Sequence, residues 1–277
     1  MNRFRLSVMA LVLAVSLVAL TFGVSAAPQA ALPAPVPCTN CYRPALNTPW
    51  QWQLTGTVDT SLNVAMYDID LVDNDVSVIN TLHGRGIKVI CYISAGSWED
   101  WRPDASQFPE SVKGRNNGWP GEKWLDIRQI AILGPIMEAR LDLCKSKGFD
   151  GVEFDNVDGY SNRTGFPLTY QDQLNYNIYL ANEAHERSLS AALKNDIEQV
   201  FDLQPYFDYT LNEQCFQYRE CDYGQNSLVT NFISNGKAVF QVEYKLKTSQ
   251  FCPQANTWNF NSMKKTYDLD AWRQSCR

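Results

Sequence analysis

"ILGPIMEARLDLCKSKGFDGVEFDN", residues 132–156, holds the transition that decides the fold. Its first part keeps Ile136, Leu141 and Cys144 within one helical face and stops at Gly148, a residue suited to the left-handed turn at a helix end. "FDGVEFDN" follows at once as a short apolar strand that runs out into carboxylates. A helix feeding such a strand is one half of a β/α repeat. Side chains alternate along a strand, so Glu153 and Asp155 share one face and Phe154 takes the other. Phe154 then packs outward on the helices, which leaves the two acids inward.

Moving outward, the same alternation recurs on both sides. "NVAMYDIDLVD" (63–73) reads as a strand, and "DNDVSVINTLHGRG" (73–86) as a helix with Val76, Ile79 and Leu82 on one side. "IKVICYISAG" (87–96) is an apolar strand; "YQDQLNYNIYLANEAHERS" (170–188) is a helix and "LSAALKN" (189–195) a strand. "FDYTLNEQC" (207–215), a helical "YGQNSLVTNFISNG" (223–236) and the strand "KAVFQVEY" (237–244) complete the visible series. With "WQWQL" (50–54) first and a weak strand near "TWNFN" (257–261) last, the count reaches eight. Short strands separated by helices imply parallel strands with right-handed crossovers. The predicted fold is α/β, a single-domain (β/α)8 TIM-type barrel, with an open doubly wound sheet as the alternative. No glycine-rich phosphate loop follows the first strand, which weighs against the open sheet.

The N-terminus reads as export. Arg3 and Arg5 precede a long uncharged apolar run and the small residues Val24-Ser25-Ala26, so residues 1–26 are expected to be a signal peptide, with an uncleaved anchor as the other reading. Residues 27–46 are expected to be a Pro/Ala-rich leader and 47–277 the barrel domain. Cleavage takes Arg3 and Arg5 from the 24 basic residues and leaves 22 against 30 acidic, a net charge of −8. Nucleic acid is not an expected partner, because it demands clustered Lys and Arg. No later stretch is long enough to span a membrane. The expected protein is a secreted monomer without a membrane attachment after cleavage. All eight cysteines lie beyond residue 26, and an even count in an exported chain favours disulfides. Cys215–Cys221 and Cys252–Cys276 are the preferred pairs, while Cys91, inside an apolar strand, reads as a buried thiol. His83 and His185 have no ligand spacing, so neither a metal nor another cofactor is expected.

Strand after strand ends in a polar group: Asp68 and Asp70, Ser94, Asp155, Lys194 and Asn195, Glu213, Glu243. In a parallel barrel these ends share one mouth, where active sites are built. Two carboxylates on facing strands are what glycoside hydrolysis requires, one protonated and one ionised. Aromatic side chains near the same ends (Trp50, Trp52, Tyr67, Tyr92, Trp98, Trp101, Trp124, Tyr160 and Tyr244) suit the flat C–H faces of sugars. A serine or cysteine hydrolase is set aside, because no nucleophile elbow is present.

"YDIDLVD", "VICYISAGSWEDWRPD", "GFDGVEFDNVDGY", "LKND", "NEQCFQYREC" and "VFQVEY", in this order, resemble glycoside-hydrolase family 114, the endo-α-1,4-polygalactosaminidases, from about Trp50 to Cys276. The resemblance implies a barrel that cleaves α-1,4-linked galactosamine polymers of exopolysaccharide and biofilm matrices. By motif it implies Asp155 of "FDNVD" and Glu213 of "LNEQC" as the catalytic acids; analogy with similar barrels makes Asp155 the nucleophile and Glu213 the proton donor. The family commonly has proline where this chain has Phe154, at the outward-facing position. Asp68, Asp70 and Asp158 are expected to form an acidic rim for the ammonium groups of a cationic or partly acetylated amino-sugar polymer. Asn156, Lys194, Asn195 and Asn212 complete the expected substrate-binding set, Lys194 also keeping a nearby carboxylate ionised. The alternative from another class is a catalytically silent carbohydrate-binding barrel, which usually lacks one of the two acids.

Overall fold

Eight parallel strands follow one another in chain order through the sheet of the computed structural model, which describes residues 32–277. They are β1 (Trp50–Gln53), β2 (Met66–Asp70), β3 (Lys88–Ser94), β7 (Gly151–Asp155), β8 (Ser190–Lys194), β9 (Tyr209–Glu213), β10 (Val239–Glu243) and β11 (Asn261–Lys264). The signal-peptide reading of residues 1–26 lies outside the described residues. Right-handed twist curls such a sheet until its edges approach, and the result is a TIM-type barrel.

The seam between β11 and β1 is closed by side chains and by the end of the chain. The Trp50 indole N–H donates to the Asn261 carbonyl at 2.8 Å. The Leu269 carbonyl accepts from the Leu54 amide at 2.8 Å, the Ala271 carbonyl accepts from the Gln51 side chain at 3.0 Å, and the Arg273 guanidinium donates to the Trp50 carbonyl. Strand β12 (Gln274–Ser275) then pairs antiparallel with β11.

Inside, Trp50, Trp52, Met66, Ile90, Tyr209, Phe240, Val242 and Met263 fill the barrel floor. The outer face is covered by α1 (Val76–Gly84), α2 (Ile130–Lys147) and α3 (Tyr170–Glu186). α1 buries Ile79 and Leu82 but leaves Val76 exposed, contrary to expectation. α2 buries Ile136, Leu141 and Cys144 and stops at Gly148, whose φ of 92° is the left-handed turn foreseen. Residues 223–236 are not the helix expected from sequence: they hold the four-residue Leu228–Asn231 and two single turns. The last parallel strand begins only at Asn261, where the expected one ends.

Between β3 and α2 the chain inserts a small antiparallel sheet of β4 (Ser97–Glu99), β5 (Lys113–Asn116) and β6 (Glu122–Leu125). Among the described residues all eight cysteines are paired: Cys38–Cys41, Cys91–Cys144, Cys215–Cys221 and Cys252–Cys276. Cys91 is therefore not a free thiol. β3 points it outward, where α2 presents Cys144 with a Cα separation of 6.0 Å, within disulfide reach. Among the described residues no helix is long and apolar enough to cross a membrane.

Candidate active site

Register across the sheet decides which strand ends meet. Trp52 lies opposite Asp68, Tyr92 opposite Glu153, and Ser94 opposite Asp155. All of these point inward, as do Lys194 at the end of β8 and Glu213 at the end of β9. At all three ends the next residue, Asn156, Asn195 and Gln214, takes a positive φ of 61°, 49° and 57°. This left-handed step, which asparagine tolerates well, turns the backbone sharply off the strand and leaves the preceding side chain at the rim.

At the centre is the Lys194 ammonium, 1 % exposed, with Asp155 at 2.9 Å, Glu153 at 3.1 Å and Glu213 at 3.2 Å. The ammonium donates a hydrogen bond to Asp155 and pairs by charge with the other two, and the Trp52 ring lies under the nitrogen at 4.7 Å. Burial pushes the Lys194 pKa down, but Asp155, Glu153 and Glu213 together raise it well above its ordinary value, so the lysine is charged. The carboxylates differ in exposure: the Glu153 side chain is fully buried, Asp155 is 20 % exposed and Glu213 25 %. Only the latter two reach the mouth.

Asp155 is held from three directions. The Tyr92 hydroxyl donates to it at 2.8 Å, the Asn156 amide at 2.8 Å and Lys194 at 2.9 Å. Burial raises its pKa, and Lys194 with these hydrogen bonds reverses that and holds the carboxyl below the ordinary aspartate value. Asp155 is therefore ionised at neutral pH. Glu213 accepts from the Tyr244 hydroxyl and from Asn195 at 3.2 Å, while its own amide donates to the Asn195 side chain at 2.9 Å. Below them Glu153 accepts from the Trp52 indole at 3.1 Å and neighbours Asp68, whose pKa is raised well above normal by burial and then by Glu153.

The remaining expected residues divide. Asn156 donates to the Ser94 hydroxyl at 2.8 Å, and Ser94 meets Ser97 at 2.7 Å, so these brace the loops around Asp155. Asp158 sits half-buried near the pair; burial, and then Asp155, push its pKa up to about 6. Tyr160 lies beyond it, its hydroxyl on Glu198 at 2.9 Å. Asp68 and Asp70 do not line an open rim: Asp68 is buried, and Asp70 is buried and clamped by both terminal nitrogens of Arg102 at 2.9 and 2.6 Å. Trp50 is on the barrel floor, packed on Phe240 at 4.8 Å. Tyr67 points outward and bonds the Asp59 carbonyl. Trp98 and Trp124 belong to the inserted sheet: Trp98 carries Lys113 over its ring at 4.2 Å, and Trp124 is buried. Asn212 and Glu243 alternate with the inward Leu211, Glu213 and Tyr244, and so face the helices. Asn212 donates to Thr210 at 2.8 Å, and Glu243 accepts the Phe216 amide at 3.0 Å. The inward neighbour, Tyr244, expected only as an aromatic at the strand ends, donates its hydroxyl to Glu213.

The model of glycoside-hydrolase family GH114 matches residues 31–277. The crystal structure of Ega3 from Aspergillus fumigatus in complex with galactosamine superimposes at a TM-score of 0.79. It is 42 % identical over 85 % of this chain and 97 % of that one. The glycoside hydrolase domain of PelA from Pseudomonas aeruginosa shares the fold at a TM-score of 0.60, with 11 % identity over 82 % of this chain and 97 % of that one. No curated protein matches. The family model spans the barrel and every strand end that carries the carboxylate cluster, and the chain belongs to glycoside-hydrolase family GH114.

Proposed function

We propose that the protein is a secreted, endo-acting glycoside hydrolase that cleaves α-1,4-linked galactosamine polymers of exopolysaccharide matrices, with Asp155 as nucleophile and Glu213 as general acid and base. The observation that carries the reading is that both acids are bound by one buried ammonium while only they reach the mouth. Asp155 Oδ1 and Glu213 Oε2, at 2.9 and 3.2 Å from the same nitrogen, are separated by no more than the sum of those distances. That bound, about 6 Å for this oxygen pair, is compatible with the retaining geometry of about 5–5.5 Å that a nucleophilic Asp155 requires.

In the first step an Asp155 oxygen attacks the anomeric carbon while the glycosidic C–O bond breaks. Glu213 gives its proton to the departing sugar oxygen. Water then attacks the same carbon, Glu213 takes the water proton, and the Asp155–sugar bond breaks to restore the carboxylate. The ionised state of Asp155 supports its nucleophilic role. The galactosamine bound by the 42 %-identical Ega3 supports the substrate class. Asp158 has the position and charge to receive the substrate's ammonium groups. Four disulfides suit an oxidising, extracellular setting.

The test is release of reducing ends from partly deacetylated α-1,4-galactosaminogalactan. Wild type should release oligomers, and Asp155→Ala and Glu213→Ala, folded by circular dichroism, should release none. A silent but folded wild type would favour the carbohydrate-binding barrel.

A further inference from the structure

Two carboxyl groups sit directly beneath the reacting pair, and the chemistry proposed above uses neither. Glu153 and Asp68 are both buried, at 0 % and 1 % exposure, in the layer beneath Asp155. As carboxylates they would repel each other, and neither Asp68 oxygen would have a hydrogen-bond donor. One proton between them removes both difficulties: a protonated Asp68 donates to Glu153. Burial raises the Glu153 carboxyl, but Lys194 and a hydrogen bond from Asp68 pull it back down, whereas for Asp68 both burial and Glu153 push upward, so Glu153 is the better placed of the two to keep its charge. It has the Trp52 indole N–H at 3.1 Å on one oxygen and the Lys194 ammonium at 3.1 Å from the other, whereas Asp68 has neither.

We propose that Glu153 is a positioning residue, which anchors the Lys194 ammonium between Asp155 and Glu213 and, through its negative charge, sets the pH range in which those two acids hold opposite protonation states. The proposal rests on the assignment of Asp155 and Glu213 as the catalytic pair. Lys194 donates a hydrogen bond to Asp155 at 2.9 Å and pairs by charge with Glu153 at 3.1 Å and Glu213 at 3.2 Å, so all three carboxyls set its position. Glu153 is the acceptor no substrate reaches, which makes it the fixed point of the three. Its charge also offsets that of Lys194. Were Glu153 neutral, the uncompensated ammonium would draw both Asp155 and Glu213 toward ionisation. Asp155 would then ionise at lower pH, and Glu213 would lose at lower pH the proton it must donate.

The titratable groups that face Glu153 and Lys194 are Asp68 from β2, Tyr92 from β3, Asp155 from β7, Glu213 from β9 and Tyr244 from β10; β1 and β11 present Trp52 and Met263. Tyr209 of β9 lies near Asp68, and Asp158, from the loop after β7, near Asp155 and Glu213. Tyr92, Tyr209 and Tyr244 have pKa values raised well above the phenol value by burial first, so they stay neutral through the working range.

The test is the pH profile of kcat/KM on the deacetylated polymer for wild type, Glu153→Gln and Asp68→Asn. Glu153→Gln keeps the shape and removes the charge; both limbs of its bell should move to lower pH by roughly one unit. Asp68→Asn keeps a neutral donor to Glu153, so its bell should stay in place. A Glu153→Gln profile that is lowered but not displaced would overturn the proposal, and so would an equal displacement in Asp68→Asn. Should Glu153→Gln fail to fold, carboxyl 13C shifts of the labelled wild-type protein decide the matter. Glu153 ionised and Asp68 protonated in the active pH range support it; Glu153 protonated there refutes it. A wild type without turnover, or an active Asp155→Ala, would instead refute the catalytic assignment, and is read before any profile.

Discussion

Replacing Lys194 with methionine keeps the length of the side chain and removes the one cation at the centre of the carboxylate cluster. The loss follows from the surroundings. Lys194 is 1 % exposed and holds Asp155, Glu153 and Glu213 at 2.9–3.2 Å. Removing one partner of a buried ion pair costs about 3–5 kcal/mol, because the other charge is left without compensation. Here three carboxyls are left, and protonation is their means of relief, so the penalty depends on pH. In wild type the lowered pKa of Asp155 contributes stability that is present above the unfolded aspartate value and lost as pH falls through the folded value. In Lys194→Met burial acts without the ammonium and pushes these carboxyls up, so the variant loses stability as pH rises through its folded values. Lys194 itself, with its raised pKa, contributes stability in full below the unfolded lysine value of about 10.4 and loses it only above that. The difference between the two proteins therefore widens from acid to neutral pH. Urea unfolding followed by tryptophan fluorescence at about pH 4.5 and about pH 7.5 reads it. We expect a loss of about 3–5 kcal/mol at the higher pH and a loss at least ~1.4 kcal/mol smaller at the lower, one pKa unit's worth. Equal losses at the two pH values, or less than about 1 kcal/mol near neutrality, would refute the reasoning.

Three other outcomes are expected. With Asp158 titrating at about 6, KM for a deacetylated polymer should fall as pH rises through that value; Asp158→Asn should abolish the step and raise KM about tenfold near pH 7, and a surviving step would exclude Asp158 as the ammonium acceptor. A Cβ on Gly96 would lie 1.7 Å from the Asn156 carbonyl oxygen, so Gly96→Ala must displace the backbone whose amide holds Asp155. It should lose at least about 2 kcal/mol of stability and most of kcat, with wild-type kinetics counting against the close approach. Cys91→Ala with Cys144→Ala opens a link spanning 53 residues and should cost about 4 kcal/mol by loop entropy, read as a lower urea midpoint with a steeper slope from the freed unfolded chain.

Much of this arrangement was legible in the residues. Parallel strands buried on both faces leave apolar runs such as "VICYIS" and "VFQVE", and the carboxylates that break those runs marked the mouth. Less legible was everything decided by register or by distant pairing. "VEY" ends β10 with two side chains suited to a mouth, and only alternation from Phe240 shows that Tyr244 faces inward and Glu243 faces α5 (Cys215–Tyr218). Asp70 looked free because Arg102, its partner, lies 32 residues away on the inserted loop. "SWE", "KGRN" and "EKWL" carry no period-two pattern long enough to announce strands. Cys91 looked like a core thiol because Cys144 is brought to it by a helix packing on the strand. One local signal was present throughout: an asparagine directly after Asp155 and after Lys194, marking the left-handed exits that hold these side chains at the rim.

The seam has a consequence for how the molecule is made. Trp50 and the floor around it are sealed by residues 269–276, which follow the first strand by some 220 residues. Until they arrive, the first strand lacks its closing neighbour and the indole its covered setting, so the nascent chain has no completed barrel in which to settle. Cys252–Cys276 then fastens the closing segment to α7 (Thr248–Thr257), making Cys276 the latch of the fold. Removing residues 269–276 would therefore act on assembly itself and not only on a local contact.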